Sequence, residues 1–301
     1  MKLLESTLLE TFVTVVECGG FSDAQFALGI TQSAISIRIR DLETALGYRV
    51  CERGRGGFRL TERGEVAYRK AREILRSVRD FDAELLELRG SITGELRIGM
   101  VDAVSGLPGF DLAQSLETFL SRPSDVQLEL VVASPSDLTQ GLLSGSLHVA
   151  IAPFRNRVPE VRYRDLCQEH HALYCGRSHA LFQCADHEVT PDLVKGYPSC
   201  QRSYDSSYAI GADAPDLSAI VSNMEAMALM VESGQFIGVL PRHFAEDRRR
   251  LGRMRELAHP DLRWSSTVQL ATRRNAVSRR AVDLFMRDCL AQIPVGKPNA
   301  G

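Results

Sequence analysis

The stretch Gly29-Ile-Thr-Gln-Ser-Ala-Ile-Ser-Ile-Arg-Ile-Arg-Asp-Leu-Glu43 places apolar residues at the spacing of a helix. On a wheel of about 100° per residue, Ile35, Ile39 and Leu42 fall on one side and would pack on a core. The other side and its edges carry small hydroxyls, an amide and arginines, with apolar Ile37 among them. The stretch therefore predicts an amphipathic helix whose outer face is rich in hydrogen-bonding groups.

Two shorter helical segments precede this one. Residues 8–16 keep an apolar stripe at helical spacing, and Gly19-Gly20 ends it because glycine accepts left-handed backbone. A short second helix is expected from Ser22, its cap, to about Leu28. A tight turn follows, and Thr31 is expected to cap the third helix. The order is helix, helix, tight turn, helix.

The outer face of the third helix carries groups that can read DNA. Glutamine can pair with adenine in the major groove, small serines let a helix approach, and arginine suits guanine or phosphate. An apolar side chain can contact the methyl group of thymine. The alternative is an ordinary amphipathic helix with a polar outer face. The predicted DNA-binding residues of this helix are Thr31, Gln32, Ser33, Ser36, Ile37, Arg38 and Arg40.

A hairpin with arginines is predicted after the third helix. Leu46-Gly47 closes the helix, and residues 48–61 predict two short strands around an Arg/Gly turn. Arg53 and Arg55 lie at this turn, where arginines can enter a minor groove or bind phosphates. Residues 31–79 hold 12 Lys and Arg against 6 Asp and Glu, in a chain of net charge −2. This distribution favours phosphate binding, with a solvated charged surface as the alternative.

Together these segments resemble the winged helix of LysR-type transcriptional regulators. The matching segments are Phe12-Val-Thr-Val-Val-Glu, Gly20-Phe-Ser, Ala24, Ile30-Thr-Gln-Ser-Ala-Ile-Ser36, Ile39-Arg-Asp-Leu-Glu43, Leu46-Gly47, Glu52-Arg53 and Arg59-Leu-Thr-Glu-Arg-Gly64. Three residues depart from the family pattern, Gln25, Ser33 and Ile37. In the family, an arginine often contacts DNA at the position that Ile37 occupies here. Arg38 or Arg40 is therefore expected to take over the phosphate contact. The resemblance implies a DNA-binding regulator and not an enzyme.

The next segment predicts a coiled coil. Residues 64–90 contain no proline and no internal glycine, and apolar residues recur at alternating spacings of four and three. A lone helix packed on its own domain is the alternative. The family resemblance implies a linker helix that pairs two subunits, hence a homodimer, commonly a homotetramer, on an inverted-repeat operator. The predicted dimerisation residues are Ala67, Ala71, Ile74, Val78, Phe81, Leu85 and Leu88.

Strands and helices alternate beyond residues 90–94, a predicted hinge. Short turns rich in Gly, Pro and Ser separate them, which predicts a parallel α/β architecture. The predicted strands are residues 96–101, 126–133, 149–152, 171–175, 197–201, 236–240 and 267–272. The predicted helices are residues 112–120, 137–143, 223–233 and 278–293.

This half resembles the effector domain of the same family. The matching marks are Gly94-Glu-Leu-Arg-Ile-Gly99, His148-Val-Ala-Ile151 followed by Pro159 and Leu166, Ser178-His-Ala-Leu181 and Val231-Glu-Ser-Gly-Gln-Phe-Ile-Gly-Val-Leu-Pro241. The resemblance implies two Rossmann-like lobes similar to those of periplasmic binding proteins. The expected division is a winged helix-turn-helix at 1–63, a linker helix at 64–90 and an effector domain at 91–301. Within the last, lobe I is expected at about 91–163 and 267–301, and lobe II at about 164–266.

Small ligands in such folds bind outside the carboxyl ends of the strands, between the lobes. The family's effectors are often small organic anions, which hydroxyls and helix N-termini can hold. Arg202 and Ser203 suit a carboxylate. Asp102 suits instead a ligand with a cationic or hydroxyl group, or it caps a helix and points away. The predicted effector-binding residues are Asp102, Ala103, Ser105, Ser134, Ser136, Arg155, Gln201, Arg202, Ser203 and Asn223.

The cysteines support one alternative function. Cys200 falls near the predicted cleft and could carry a reactive thiolate, which would make the protein a thiol redox-sensing transcription factor. Its nearest partners in sequence are Cys184 and Cys289. The seven cysteines show no metal-like spacing, so no metal or other cofactor is expected. Cys175 lies near two histidines, but its apolar surroundings favour a buried core residue over a catalytic nucleophile.

The remaining expectations concern location and partners. No window of about 18 apolar residues could span a membrane, and no secretory signal is recognisable, so a cytoplasmic protein without a membrane partner is expected. A stand-alone solute-binding protein would lack residues 1–90. The expected partners are double-stranded DNA, a small-molecule effector, further copies of the chain and RNA polymerase.

Overall fold

The computed structural model describes residues 6–54, 57–87, 92–204, 219–274 and 279–293. Contacts within the chain divide it into two compact units, Met1–Gly94 and Glu95–Gly301. Two predicted site residues, Arg55 and Leu88, lie outside the described residues.

The first unit is built from helices and one hairpin. Its elements are α1 (Ser6–Glu17), α2 (Phe21–Leu28), α3 (Gln32–Leu46), β1 (Cys51–Gly54), β2 (Gly57–Leu60) and α4 (Glu62–Glu87). Thr31 caps α3 as predicted, since its hydroxyl oxygen accepts a hydrogen bond from the backbone N–H of Ala34 at 3.2 Å. Gly47 ends α3 in the left-handed conformation. The predicted cap of α2 was wrong, because Gly20 occupies that position and Ser22 lies inside the helix.

One apolar core holds these elements together. Phe12 of α1 and the buried face of α3 form its centre, and Val50 closes it beside the hairpin. Gly64 is required at the start of α4, because a Cβ there would lie 1.8 Å from the carbonyl oxygen of Val50. The first turns of α4 then deliver Ala71 and Leu75 into the same core. The beginning of α4 is therefore part of the globular head.

The second unit alternates strands and helices. Its elements are β3 (Thr93–Met100), α5 (Leu112–Leu120), β4 (Asp125–Val132), α6 (Pro135–Ser144), β5 (Val149–Ala152), β6 (Val161–Gly176), α7 (Pro191–Lys195), β7 (Ser199–Arg202), β8 (Ala219–Val221), α8 (Met224–Glu232), β9 (Ile237–Pro241), α9 (Arg242–Arg250), β10 (Met254–Glu256), β11 (Arg263–Arg273) and α10 (Arg280–Ala291). All the predicted strands and helices are present; α5 and β5 have the predicted ends, and the ends of the others are shifted. The sequence patterns missed α7, α9, β8 and β10 and most of the length of β6.

The strands form a continuous sheet in the order β4-β3-β5-β11-β6-β9-β7-β8, and β10 pairs with β6. Parallel pairs occur near both ends, between β3 and β5 and between β7 and its neighbours β8 and β9. The middle differs from the expected parallel architecture, because β11 runs antiparallel to β5 and β6, and β6 runs antiparallel to β9. We call the β3-β4-β5 end lobe I and the β7-β8-β9 end lobe II. The long strands β6 and β11 connect the two lobes.

Helices cover the sheet in each lobe. In lobe I, α5 and α10 pack together through the rings of Phe119 and Phe285, whose centroids are 6.0 Å apart. Arg122 donates two hydrogen bonds to the buried carboxylate of Asp288, at 2.5 and 2.7 Å. In lobe II, α8 packs on β9, and the apolar core of this lobe includes Met227 of α8. Within the described residues, we find no helix with the length and apolar character needed to cross a membrane.

Candidate functional site

The outer face of α3 presents an exposed stripe of side chains. Ser33, Ile37, Arg40 and Thr44 follow each other at spacings of four, three and four residues, and all are exposed. Gln32 is exposed beside them in the first turn. Ile37 is 48% exposed although it is large and apolar. The stripe is polar except at its centre.

Two predicted contact residues of α3 make hydrogen bonds within the first unit. The Ser36 hydroxyl donates to the carbonyl oxygen of Gln32 at 2.8 Å. Arg38 Nη1 donates to the hydroxyl oxygen of Thr11 on α1 at 3.2 Å, and Thr11 is buried. The Arg38 side chain therefore extends towards α1 and is half-buried, whereas the Arg40 side chain is exposed.

The hairpin lies beside the helix-turn-helix. β1 and β2 pair antiparallel, with Arg53 opposite Phe58 next to the turn. The ring of Phe58 packs edge-on against Phe21 of α2 at a centroid distance of 5.9 Å. This contact fixes the hairpin as a wing next to α2, with the backbone of Arg53 at its end.

The apolar seam of α4 has two parts. Ala71 is buried in the core of the first unit and Ala67, which is partly buried, packs on the same core, so these two predicted seam residues are covered within the chain itself. The later seam residues have no such cover and are exposed at spacings of four, three and four. These are Ile74, Val78, Phe81 and Leu85. The exposed seam therefore begins at Ile74, about two turns after the first predicted residue, Ala67.

In lobe I, the carboxyl ends of the three strands lie side by side. The backbone N–H of Val101 donates to the carbonyl of Ile151 at 3.1 Å, and that of Ala133 donates to Met100 at 3.0 Å. The loops after β3, β4 and β5 thus meet at one edge, as the strand pattern predicted. In the loop after β4, Ser134 caps α6 and lies 2.8 Å from the hydroxyl of Ser136.

Asp102 joins this edge to lobe II. Its carboxylate accepts hydrogen bonds from the backbone N–H of Met224, the first residue of α8, and from the Tyr204 hydroxyl at 3.3 Å. The Tyr204 oxygen in turn accepts from Arg202 Nη1 at 3.4 Å. Asn223, another predicted residue, is the N-cap of α8. Of the two expectations for Asp102, the helix cap is the one observed, but the capped helix belongs to the opposite lobe.

A second link lies beside the first. Ala103 has a left-handed backbone with φ 62, which is uncommon for a residue with a Cβ, and its carbonyl oxygen is 3.0 Å from His243 Nε2 on α9. His243 also lies 3.9 Å from Glu169, whose other oxygen is 3.1 Å from His171 Nε2. Burial raises the pKa of the Glu169 carboxyl, and the charges of His243 and Arg202 oppose this shift. The lobes therefore meet at a cluster of charged and polar groups.

Other predicted effector residues lie at these edges, and within the described part of the chain no side-chain hydrogen bond joins them to the cluster. Ser203 donates its backbone N–H to the carbonyl of Val221 at 2.8 Å, and Gln201 lies in β7. Ser105 is exposed in a short 3-10 turn after β3.

Arg155 is in the loop after β5, at the same edge of lobe I, and lines a cavity of about 440 Å³ between that loop and the strand β11. Phe154, Trp264 and Gln269 line the same cavity. The last two were missed by sequence reasoning, although a glutamine inside the apolar run of residues 268–271 was a usable signal. An amide placed among core residues requires polar partners.

Cys200 and Cys289 do not have the surroundings of a reactive thiol. Cys200 is buried, and burial raises the pKa of its thiol to about 11. Burial likewise raises the pKa of Cys289 to about 12. A reactive thiol needs a lowered pKa and access to solvent. These surroundings argue against the redox-sensing alternative at Cys200.

Comparison with known proteins agrees with this architecture. Residues 6–65 match the family model "Bacterial regulatory helix-turn-helix protein, lysR family", and residues 89–293 match "LysR substrate binding domain". The HTH-type transcriptional activator BauR of Pseudomonas aeruginosa is 34% identical over 281 residues, which cover 93% of this chain and 92% of BauR. The chain belongs to the LysR family of transcriptional regulators. It is therefore a DNA-binding regulator and not an enzyme.

Solved structures show the same fold. The full-length regulator CbnR in complex with its target DNA matches 96% of this chain and 100% of its own, with a TM-score of 0.68 at 20% identity. LysG of Corynebacterium glutamicum with bound effector Arg matches 96% of this chain and 98% of its own, with a TM-score of 0.53 at 20% identity. The predicted fold class, a winged helix-turn-helix followed by a two-lobed α/β effector domain, is confirmed.

Proposed function

We infer that this regulator binds an inverted-repeat operator as a homodimer and responds to a small organic anion bound between its lobes. The exposed stripe of α3 enters the major groove, with Gln32, Ser33 and Arg40 as polar contacts. Arg53 at the wing reaches the minor groove or the phosphates. Arg38 positions α3 on α1 through Thr11 instead of contacting DNA directly.

The exposed part of α4 supports the homodimer. Four large apolar side chains, from Ile74 to Leu85, stand at coiled-coil spacing on a face that the head does not cover. Pairing two such faces buries this surface and presents two heads together. The two-fold symmetry of the pair then requires an inverted repeat. Two dimers form the homotetramer common in this family.

The effector is expected where the lobes meet. The observation that carries this assignment is the Asp102 link, because it places the carboxyl ends of the strands of both lobes against each other. Arg202 and Ser203 supply the positive charge and the hydroxyl for a carboxylate, beside Asn223 at the start of α8. The N-terminus of α8 is already capped by Asp102, so an anion at that end competes with a side chain of the protein.

This competition couples ligand binding to the arrangement of the lobes. A ligand shifts a conformational equilibrium by its difference in affinity for the two arrangements. An anion that displaces Asp102 from α8 removes a link between the lobes, and lobe closure and subunit packing change with it. The altered spacing of the heads then changes the DNA bend and access for RNA polymerase. We place this activity in the cytoplasm.

The test uses the full-length chain with a panel of small organic acids. Ligands that raise the melting temperature of the wild-type protein are expected to change its binding to an operator selected from random DNA. Arg202→Ala should lose both responses while it keeps operator affinity, and Arg164→Ala, an exposed arginine on β6, should keep both. A normal ligand response in Arg202→Ala would reject the assigned site, and a selected site without two-fold symmetry would reject the homodimer.

A further inference from the structure

Arginines collect at the edge of lobe I where β3 and β5 begin. This edge is opposite the one that holds the predicted effector residues, because those residues follow the carboxyl ends of the same two parallel strands. β11 runs antiparallel to β5, so Arg273 at its end and Arg274 after it reach the edge where β5 begins. β6 starts at the same edge, with Arg162 opposite Thr272 of β11.

The start of α10 brings further arginines to this edge. Arg279 Nη1 lies 2.6 Å from Nε2 of His148, which directly precedes β5, and Arg97 Nη2 lies 2.6 Å from the same nitrogen. Glu95 neutralises Arg97 through a contact of 2.6 Å. An imidazole carries no negative charge in either protonation state, so its contact with Arg279 leaves the charge of that arginine in place. Arg280 is exposed next to it.

Three of these arginines are not neutralised by carboxylates. Arg162, Arg273 and Arg274 are exposed, and none of them forms an ion pair within the described residues. Arg274 Nε donates to the carbonyl oxygen of Pro159 at 2.9 Å, which fixes the side chain without cancelling its charge. The arginines at 248–250 on α9 differ, because each pairs with a carboxylate within 3 Å.

The charge balance of this surface favours a polyanion as its partner. Residues 160–162, 273–274 and 279–283 hold five arginines against the two carboxylates Glu160 and Asp283, in a chain of net charge −2. A surface of this kind attracts polyanions, and guanidinium groups offer phosphates paired N–H donors. The same chain belongs to a DNA-binding family, so a duplex is present whenever the regulator occupies its operator.

We propose that this surface, which we call the basic edge, is a second DNA-contact surface of the regulator. The basic edge consists of Arg162, Arg273, Arg274, Arg279 and Arg280. It binds phosphates of the duplex and therefore adds affinity without reading sequence. The proposal rests on DNA binding by the first unit and is independent of the effector site. It gives the effector domain a direct contact with the DNA that it regulates.

The first test is the salt dependence of DNA binding by the full-length chain. The variant is Arg162→Gln/Arg273→Gln, at two exposed positions, and the probe is the selected operator within a fragment that extends well beyond it on both sides. Each phosphate contact that is lost should weaken binding roughly eightfold at about 0.1 M salt. It should also make the slope of log K against log salt shallower by about 0.9. Unchanged affinity together with an unchanged slope overturns the proposal.

The matched control is Arg177→Gln/Arg253→Gln, which removes the same charge from lobe II. These two arginines are exposed and neighbouring, since the backbone N–H of Arg177 donates to the carbonyl of Arg253 at 3.0 Å. Neither forms an ion pair within the described part of the chain. The control variant should keep both the affinity and the slope. An equal loss in the control would show that net charge alone is responsible, and it would overturn the basic edge.

A DNA-cleaving iron chelate attached to a cysteine tests the contact directly. Labelled Arg273→Cys should cut operator DNA above the background that the labelled, unsubstituted chain gives through its own cysteines. Labelled Arg253→Cys should not exceed this background. If Arg273→Cys does not exceed it either, the basic edge does not lie against DNA and the proposal fails.

Two further outcomes separate the basic edge from other surfaces. Arg40→Gln on α3 should weaken binding additively with the double variant, since separate contacts act independently. A loss in Arg40→Gln alone overturns the basic edge, and a loss in the double variant alone supports it and rejects the assignment of Arg40. If the double variant binds DNA normally but no longer controls transcription in a purified system, the partner is an acidic protein surface and the proposal is overturned.

Discussion

The apolar centre of the α3 stripe leads to a prediction about sequence preference. Ile37 stands among polar neighbours on the face that enters the major groove, and 48% of it is exposed. Thymine is the base that offers an apolar group there, its C5 methyl. We therefore predict that Ile37 contacts a thymine methyl in each half-site. The perturbation is to replace single thymines of the operator by deoxyuridine, which removes the methyl and leaves base pairing unchanged.

The size of the effect follows from the buried area. Burying one methyl or methylene group stabilises a complex by about 0.8 kcal/mol, which corresponds to about a fourfold change in Kd. A symmetric dimer presents Ile37 twice, so removing the methyl from both half-sites should weaken binding about 14-fold. The half-exposed Ile37 side chain has enough free surface for one such contact.

The assay is a double-mutant cycle measured by fluorescence anisotropy at fixed salt. Ile37→Ala should bind the normal operator more weakly and should lose the penalty for deoxyuridine. Arg40→Gln is the contrasting variant, since loss of a phosphate contact weakens all sequences and lowers the salt slope but retains the penalty. The reasoning fails if no thymine shows a penalty in the wild-type protein, or if the penalty survives in Ile37→Ala.

Three further predictions concern assembly and stability. Phe81→Glu should yield monomers by light scattering, because a charge on the exposed seam of α4 opposes pairing; an unchanged dimer would contradict that seam. Arg122→Ala removes two charge-assisted hydrogen bonds to Asp288 and should cost about 2 kcal/mol in urea unfolding, so an unaltered midpoint would count against this pair. Burial raises the pKa of the Glu169 carboxyl in the folded protein above its ordinary value of 4.5. Protonation of this carboxyl therefore stabilises the folded protein below pH 4.5, and this contribution is lost as the pH rises through the folded pKa. Glu169→Gln should therefore stabilise the protein at pH 7 but not at pH 4, and a gain independent of pH would refute this.

The head was predictable because its signals are local. Thr31 and Gly47 mark the ends of α3 through hydrogen bonds and backbone preferences that involve near neighbours in the sequence. The α2 cap failed because Gly20 and Ser22 are both good caps, and the packing of Phe21 decides between them. Likewise, the 3.5-residue repeat of α4 shows which residues are apolar but not whether a second copy or the head covers each of them.

The effector domain was predictable in outline. Apolar runs located its strands, but β6 was cut to residues 171–175 because Gln168, Glu169 and His170 interrupt the pattern where the strand crosses between lobes. Pairing across the sheet and the bond between Asp102 and Met224, 122 residues apart, depend on the whole fold. No local pattern contains that information.

The burial of Ala71 and Leu75 has a practical consequence for dissecting the protein. The family model of the helix-turn-helix ends at residue 65, and the sequence places the domain boundary at 63. A fragment cut at either point would lack these two side chains, leaving the base of α1 and α3 open to water. The smallest piece that retains a closed core must therefore extend past Leu75, so the recognition motif is shorter than the unit that folds.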